Sequence, residues 1–186
     1  SEPAHQWCQL LTSEPVDHAK RALVLSSGGK HSVNSYRMAI SGCGSAGSYV
    51  ARVAAHDGRG NIAGLFDPVP DARSALSAEF PNAIVVDEYA ALLEKAKPDV
   101  VIIAGPDHLH AEQTIKAANA KCDVLIEKPL ATTLDDARRM LAAVEKNDVK
   151  AMADQTLRYV PPYAQMSRTA AAGDIGTVFY IQGDYV

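Results

Sequence analysis

The sequence predicts an α/β fold in which a doubly wound parallel sheet carries helices on both faces. Between Tyr36 and Asp154, apolar runs of strand length alternate with segments of helical periodicity, which is the pattern of repeated β-α units. The run Val100–Ala104 is apolar at every position, as expected of a central parallel strand that is covered on both faces. Connections between parallel strands are almost always right-handed, so these units are expected to build one sheet.

Helix start signals between the strands support this interpretation. Thr133 and Asp136 fit a capping box, in which a hydroxyl and a carboxylate satisfy free N–H groups at the start of a helix. Asp107 is expected to cap another helix, whose buried stripe includes Ala111 and Ala118. The six predicted strands span residues 37–41, 62–66, 83–86, 100–104, 124–127 and 150–153.

Three parts are expected along the chain. Residues 1–35 are interpreted as an N-terminal extension or linker, because glycine and serine cluster near its end. Residues 36–155 form the main α/β domain, and residues 156–186 are interpreted as the beginning of a truncated α+β second domain. In this last part, a helix over Tyr163–Ala172 is expected to end at Gly173, and a strand over Val178–Val186 has no evident partner.

Composition argues against several classes of function. The 186 residues carry a formal net charge of −4 without a run of like charge, so neither a nucleic-acid partner nor a membrane partner is expected. Three widely spaced cysteines, Cys8, Cys43 and Cys122, do not suggest a disulfide framework and favour a cytoplasmic setting. No strong metal-ligand spacing is present, so no metal is expected.

A glycine-rich turn is the main functional signal. The segment from Gly42 to Gly47 reads Gly-Cys-Gly-Ser-Ala-Gly and directly follows a short apolar strand. In a Rossmann-type domain the first glycine of this pattern permits a tight turn, the second lets backbone approach a pyrophosphate, and the third lets helix pack on strand. The alternative is a tight turn with no ligand, because small-residue turns are common. Cys43 is interpreted as a small filler of this loop and not as a nucleophile.

An acidic residue supports the dinucleotide interpretation. Asp67 lies about 20 residues beyond Gly47, at the carboxyl end of the second predicted strand. A carboxylate there accepts hydrogen bonds from ribose hydroxyls and repels a 2′-phosphate, which favours NAD. Arg73 leaves NADP open, because a guanidinium can accommodate that phosphate. The simpler alternative for Asp67 is a turn residue before Pro68.

The segment Val124–Ala131, with Glu127, Lys128 and Pro129 at its centre, resembles the glucose–fructose oxidoreductase / inositol dehydrogenase (Gfo/Idh/MocA) family. The resemblance extends over about residues 36–186 and also includes the glycine loop, Asp67, the segment 106–110 and Arg158-Tyr159. It implies an NAD(P)-dependent oxidoreductase that transfers hydride between nicotinamide and a secondary alcohol of a sugar or polyol. Lys128 would lie beside nicotinamide and substrate, with a Lys–Pro bond that is commonly cis.

The resemblance has further consequences. It places His110 and Glu127 near the cofactor, and it implies a homo-oligomer for the full-length protein. Family enzymes also take an aspartate and a histidine from the second domain, so this chain is expected to bind cofactor but to be catalytically incomplete. The predicted cofactor-binding residues are Gly42, Gly44, Ser45, Ala46, Gly47, Asp67, Arg73, Pro106, His110, Glu127 and Lys128, and Lys128 is also the predicted catalytic residue.

Simpler alternatives remain open at this stage. Lys128 is alternatively an exposed loop lysine, and His110 a partly buried residue in the first turn of a helix. The whole protein is alternatively a non-catalytic dinucleotide-binding sensor or regulatory module, or an NAD-dependent glycoside-cleaving enzyme.

Overall fold

The structure is a computed structural model that describes residues 36–184, in which β-strands and α-helices alternate. Short 3₁₀ turns cover Asp107–Leu109 and Thr156–Tyr159. The elements in chain order are β1 (Tyr36–Ser41), α1 (Ser45–His56), β2 (Gly60–Phe66), α2 (Pro70–Ser77), β3 (Ile84–Val86), α3 (Tyr89–Ala96), β4 (Val100–Ile103), α4 (His110–Asn119), β5 (Asp123–Glu127), α5 (Leu134–Asn147), β6 (Ala151–Asp154) and α6 (Pro161–Ala172).

Within the described range, the strands form one parallel sheet in the order β3-β2-β1-β4-β5-β6. This is the strand order of a Rossmann fold, and the predicted fold class is confirmed. The chain leaves β3 at one edge and returns to β4 beside β1, so the loops after β1 and β4 diverge to opposite faces. That divergence opens a crevice at the carboxyl edge of the sheet, where ligands bind in folds of this type.

The central strands bury both of their faces. Successive side chains of a strand point to opposite sides of the sheet, so Ala39 and Ile40 of β1 enter two different core clusters. In β4, Val101 and Ile103 pack into the cluster under α3, α4 and α5, while Ile102 packs into the cluster that includes Ala51 of α1. This double burial explains why the Val100–Ile103 run contains no polar residue.

Strand ends differ by one or two residues from the predictions. The second strand begins at Gly60 instead of Ile62, and Ala83 and Ala104 lie outside their predicted strands. The last strand of the sheet ends at Asp154 instead of Ala153, which pairs Asp154 with Glu127 of β5.

One of the two predicted helix caps is present. The Thr133 hydroxyl accepts a hydrogen bond from the Asp136 backbone N–H at 3.1 Å, and it donates to the Asp136 carboxylate at 2.8 Å. The predicted Asp107 cap is wrong. Asp107 begins a 3₁₀ turn, so α4 starts three residues later, at His110, with Leu109 in the cap position and no side-chain cap.

Residues 156–184 agree with the prediction only in part. Helix α6 ends at Gly173, whose φ of 79° is the left-handed cap conformation that glycine adopts without steric cost. The strand predicted from Val178 onward is wrong for residues 178–184, which form no strand and are exposed, with 95% of Phe179 accessible. An extended segment needs a neighbouring strand for its hydrogen bonds, and the described residues supply none here. The predicted extension over residues 1–35 lies outside the described residues, as do Tyr185 and Val186.

No helix in the part of the chain that the structure describes has the length and apolar character needed to cross a membrane.

The Thr133 cap predicts a measurable loss of stability. Thr133→Ala removes the acceptor of the Asp136 N–H and should lower the free energy of unfolding by about 1 kcal/mol. Thr132→Ala is the matched control, because Thr132 is an exposed neighbour outside the helix. Urea denaturation of both variants provides the comparison, and equal stabilities would contradict the assigned cap.

Candidate functional site

The first glycine of the loop makes the crossover between β1 and β4 possible. Gly42 has a φ of 98°, in the region that side chains with a Cβ rarely adopt. A Cβ built on Gly42 would lie 2.6 Å from the carbonyl carbon and oxygen of Ala104 and from the nitrogen of Gly105. The Gly42 N–H also donates to the Phe66 carbonyl at 2.8 Å, which fixes the turn against β2.

The third glycine lets α1 begin directly on this turn. A Cβ on Gly47 would lie 1.8 Å from the Gly42 carbonyl oxygen and 3.2 Å from Cγ2 of Ile40. No side chain fits in that space, so only glycine permits this approach of helix to loop. The start of α1 is therefore held at the mouth of the crevice.

The second glycine faces free space. A Cβ on Gly44 would meet no described atom within 4 Å, and Gly44, Ser45 and Ala46 are exposed. Gly44 is also the N-cap residue of α1, and no side chain caps the helix there. The first N–H groups of a helix have no acceptor within the helix, and together with the helix dipole they form an anion site. This uncapped start and the open space above it fit the pyrophosphate of a dinucleotide.

Asp67 lies at the end of β2 and contacts the glycine loop directly. Its Oδ2 accepts from the Cys43 N–H at 2.8 Å, and its Oδ1 accepts from the Val69 N–H at 2.8 Å. The Arg73 guanidinium donates to the Asp67 backbone carbonyl, which holds Arg73 against the turn that follows β2. The carboxylate is half-buried, and each of its oxygens keeps a second lone pair for a further donor.

The structure gives His110 a different position from the expected cofactor contact. The ring is 0% exposed, with Nδ1 2.8 Å from the Pro129 carbonyl oxygen and Nε2 3.1 Å from the Gly105 carbonyl oxygen. Both ring nitrogens are therefore occupied by backbone, and no ring atom is free to touch a ligand. Pro106, by contrast, is exposed in the loop after β4, beside Gly105.

The end of β5 brings acidic and basic groups together. Lys128 is exposed, and within residues 36–184 its ammonium makes no hydrogen bond or ion pair; its backbone N–H donates to Oε2 of Glu127 at 3.1 Å. The Lys128–Pro129 peptide bond is cis. Burial raises the pKa of the Asp154 carboxyl above its ordinary value, and the charge of Glu127 on the neighbouring strand adds to the rise. Asp154 therefore lies at this edge, beside Glu127.

A buried polar network beneath the site was missed by sequence reasoning. The Ser41 hydroxyl donates to Oε1 of Gln113 at 2.8 Å, and the Tyr89 hydroxyl donates to the Gln113 carbonyl at 2.9 Å. Ser41, Gln113 and Tyr89 are all buried, so these bonds tie α4 to the end of β1 and to α3. The available signal was a serine at the end of an apolar strand and a glutamine on the apolar face of a helix.

Cys43 is an unreactive part of the loop. Burial, followed by the charge of Asp67, raises the pKa of the Cys43 thiol to about 12. Its Sγ lies 3.5 Å from the Phe66 carbonyl oxygen. A protonated, buried thiol is a packing residue and not a nucleophile, as the sequence interpretation expected.

Comparison with known proteins agrees with this geometry. Residues 36–155 match the Gfo/Idh/MocA family model, described as an oxidoreductase family with an NAD-binding Rossmann fold. The chain belongs to this family. The match confirms the resemblance found at the glycine loop and at Glu127-Lys128-Pro129, and it identifies NAD as the cofactor type of the fold.

Two curated relatives are dehydrogenases by name. The chain is 33% identical over 105 residues to the D-glucoside 3-dehydrogenase of Escherichia coli, covering 56% of this chain and 30% of that enzyme. It is 31% identical over 113 residues to an inositol 2-dehydrogenase of Salmonella agona, covering 60% of this chain and 34% of that enzyme. The chain thus spans about a third of the length of these relatives.

A solved dehydrogenase structure has the same fold. The WlbA dehydrogenase of Bordetella pertussis, in complex with NADH and UDP-GlcNAcA, matches with a TM-score of 0.72 and 25% identity. The match covers 77% of this chain and 44% of that one.

The raised thiol pKa predicts slow alkylation of Cys43. At pH 8, only about one thiol in ten thousand is ionised when its pKa is near 12, and burial restricts access further. Iodoacetamide should therefore leave Cys43 unmodified in the native protein and modify it after unfolding in urea, as mapped by peptide mass spectrometry. Equal alkylation rates in the two states would contradict the burial of this thiol. Cys122, with a pKa raised to about 11 by burial, should behave in the same way.

Proposed function

We propose that this chain is the cofactor-binding part of an NAD-dependent dehydrogenase that oxidises a secondary alcohol of a sugar or polyol, or reduces the corresponding ketone. The observation that carries the proposal is the uncapped, open start of α1 at Gly44, in the crevice between β1 and β4. An anion-binding helix start at a topological switch point is the structural requirement for a dinucleotide.

Each end of the crevice has a group suited to one part of NAD. The backbone N–H groups of Ser45 and Ala46 would hold the pyrophosphate, and Asp67 would accept hydrogen bonds from the adenosine ribose. Pro106 and Lys128 would lie toward the nicotinamide, since their loops follow β4 and β5 beyond the crossover. When bound, the nicotinamide supplies the carbon that accepts or releases hydride.

Lys128 is the proposed catalytic residue. An alcohol loses its hydroxyl proton as it is oxidised, so negative charge develops on its oxygen. The Lys128 ammonium is exposed and unpaired among the described residues, and Lys128 directly follows Glu127, which pairs with Asp154 of β6. The ammonium can donate a hydrogen bond that stabilises the developing negative charge on that oxygen, and in ketone reduction it can donate a proton to the oxygen. Glu127 accepts a hydrogen bond from the backbone N–H of Lys128.

The substrate class is proposed from the relatives. A D-glucoside 3-dehydrogenase and an inositol 2-dehydrogenase both act, by their names, on a ring that carries secondary alcohols. The same chemistry needs only a nicotinamide, a proton-handling group and a covering surface for a polar ring. We extend it to this protein as a class, without naming one sugar.

Location and assembly complete the proposal. Cys43 and Cys122 are free thiols, which agrees with a reducing, cytoplasmic setting. The full-length protein is proposed to be a homo-oligomer, as the family resemblance implies.

The open space at Gly44 predicts a separation of binding from stability. Gly44→Ala places a methyl group where the pyrophosphate would approach, so NAD affinity should fall at least about tenfold, while the melting temperature stays unchanged. Gly183→Ala is the matched control, because a Cβ there also meets nothing within 4 Å but lies far along the chain. Isothermal titration calorimetry measures the NAD affinity of both variants, and thermal unfolding gives their melting temperatures. An unchanged affinity in the Gly44 variant would remove the basis of the proposal.

The Asp67 carboxylate predicts the cofactor preference. Asp67→Ala removes the charge that repels a 2′-phosphate, so the ratio of NAD affinity to NADP affinity should fall about tenfold or more. The Cys43 N–H also loses its acceptor in this variant, but both cofactors share the pyrophosphate and that effect cancels in the ratio. Asp71→Ala changes the net charge equally on the exposed first turn of α2 and should leave the ratio unchanged.

A further inference from the structure

His110 stands between two loops of the crevice. It is the first residue of α4, and its buried ring spans the gap from the Gly105 turn after β4 to the Pro129 turn after β5. Both of its neighbours are carbonyl oxygens, which accept but cannot donate. Each contact therefore requires a proton on the nitrogen concerned.

The chemistry of the ring makes the two contacts unequal. A neutral imidazole carries one N–H, so it donates to one carbonyl at a time. Nδ1 lies 2.8 Å from the Pro129 oxygen and Nε2 lies 3.1 Å from the Gly105 oxygen. The shorter distance favours a proton on Nδ1 and a hydrogen bond to Pro129, the residue directly after Lys128.

Helix α4 gives this ring a fixed support. Gln113, one turn further along α4, is held by the Ser41 hydroxyl and by the Tyr89 hydroxyl, both in buried contacts. The helix cannot shift without breaking these bonds, and the ring cannot leave a site that is fully enclosed. The Pro129 carbonyl is thus tied, through His110, to the end of β1 and to the glycine loop that follows it.

We propose that His110 is a positioning residue, whose Nδ1–H holds the Pro129 carbonyl and thereby directs Lys128 toward the nicotinamide end of the crevice. The direction of Lys128 toward a nicotinamide rests on the proposed function. The hydrogen bond between His110 and the Pro129 carbonyl does not depend on any cofactor. A positioning role explains why a fully buried histidine, with no free ring atom, stands at the centre of the ligand-binding edge.

Two substitutions separate the two contacts. Asparagine places its amide nitrogen near the position of Nδ1, so His110→Asn keeps a donor for the Pro129 carbonyl and has none near the Gly105 carbonyl. Glutamine places its amide nitrogen near the position of Nε2, so His110→Gln offers a donor to the Gly105 carbonyl and has none for the Pro129 carbonyl. The two variants have similar polarity, and each serves as the control for the other.

The first measurement uses the free protein. Hydrogen–deuterium exchange of the peptide covering residues 126–132 should be at least about tenfold faster in His110→Gln than in His110→Asn, because a turn without its hydrogen bond opens more often. The peptide covering residues 102–107 should show the opposite order or no difference. Equal exchange of residues 126–132 in both variants would mean that the ring only fills space, and would overturn the proposal.

The second measurement uses two ligands, NAD and ADP-ribose, which differ by the nicotinamide. Loss of one positioning hydrogen bond should weaken NAD binding to His110→Gln by about three- to tenfold and leave ADP-ribose affinity unchanged. His110→Asn should keep both affinities close to those of the unsubstituted chain. An equal loss for both ligands, or no loss of NAD affinity in the glutamine variant, would contradict the positioning role.

The exchange measurement and the binding measurement distinguish a failure of the His110 inference from a failure of the proposed function. If the unsubstituted chain binds neither NAD nor ADP-ribose, the proposed function fails, while the exchange measurement still decides the role of His110. If neither variant folds, nitrogen NMR of the unsubstituted protein decides it, because the proposal requires a proton on Nδ1 of His110. An unprotonated Nδ1 would overturn the inference.

Discussion

The position of the whole candidate site depends on the close packing of two backbone turns, one after β1 and one after β4. Gly42 packs its Cα against the Ala104–Gly105 peptide, and Gly47 packs against the Gly42 carbonyl, at separations where a Cβ would lie within 2.6 Å of backbone atoms. No side-chain interaction can substitute for this packing, because it depends on the absence of a Cβ. It sets the position of the start of α1 and therefore the place where an anion can approach.

Helix α4 connects the other loops of the crevice to this point. Gln113 bonds to Ser41, directly before Gly42, and His110 contacts the loops after β4 and β5. The residues that would meet the ligand, Gly44 and Lys128, are exposed, and the Lys128 ammonium has no partner among the described residues. They stand on a frame of buried hydrogen bonds. The exposed groups remain free to bind a ligand, while the buried polar network beneath them resists rearrangement and keeps them in place.

Local sequence patterns were sufficient to predict the fold and the glycine loop. The uniform apolar run at Val100 and the spacing of Gly42 to Gly47 each depend on neighbours in sequence, and the structure agrees with both. Burial of His110 and its contact with Pro129 depend on how a helix and a loop 19 residues apart pack, and the Ser41–Gln113 bond joins residues 72 apart. The local pattern marks Ser41 and Gln113 as polar residues on apolar faces, but it does not show which residues they meet. The failed cap at Asp107 has another cause, since a 3₁₀ turn precedes α4, as is frequent at the start of α-helices.

The most direct test is to observe which backbone N–H groups respond to the cofactor. Titration of the nitrogen-15-labelled chain with NAD, followed by amide NMR, should shift the signals of Gly44, Ser45 and Ala46 most strongly, with little change in the C-terminal half of α5. Saturable shifts at the start of α1 would establish that the crossover forms an anion-binding site. Shifts confined to other surfaces, or none at millimolar NAD, would contradict the account.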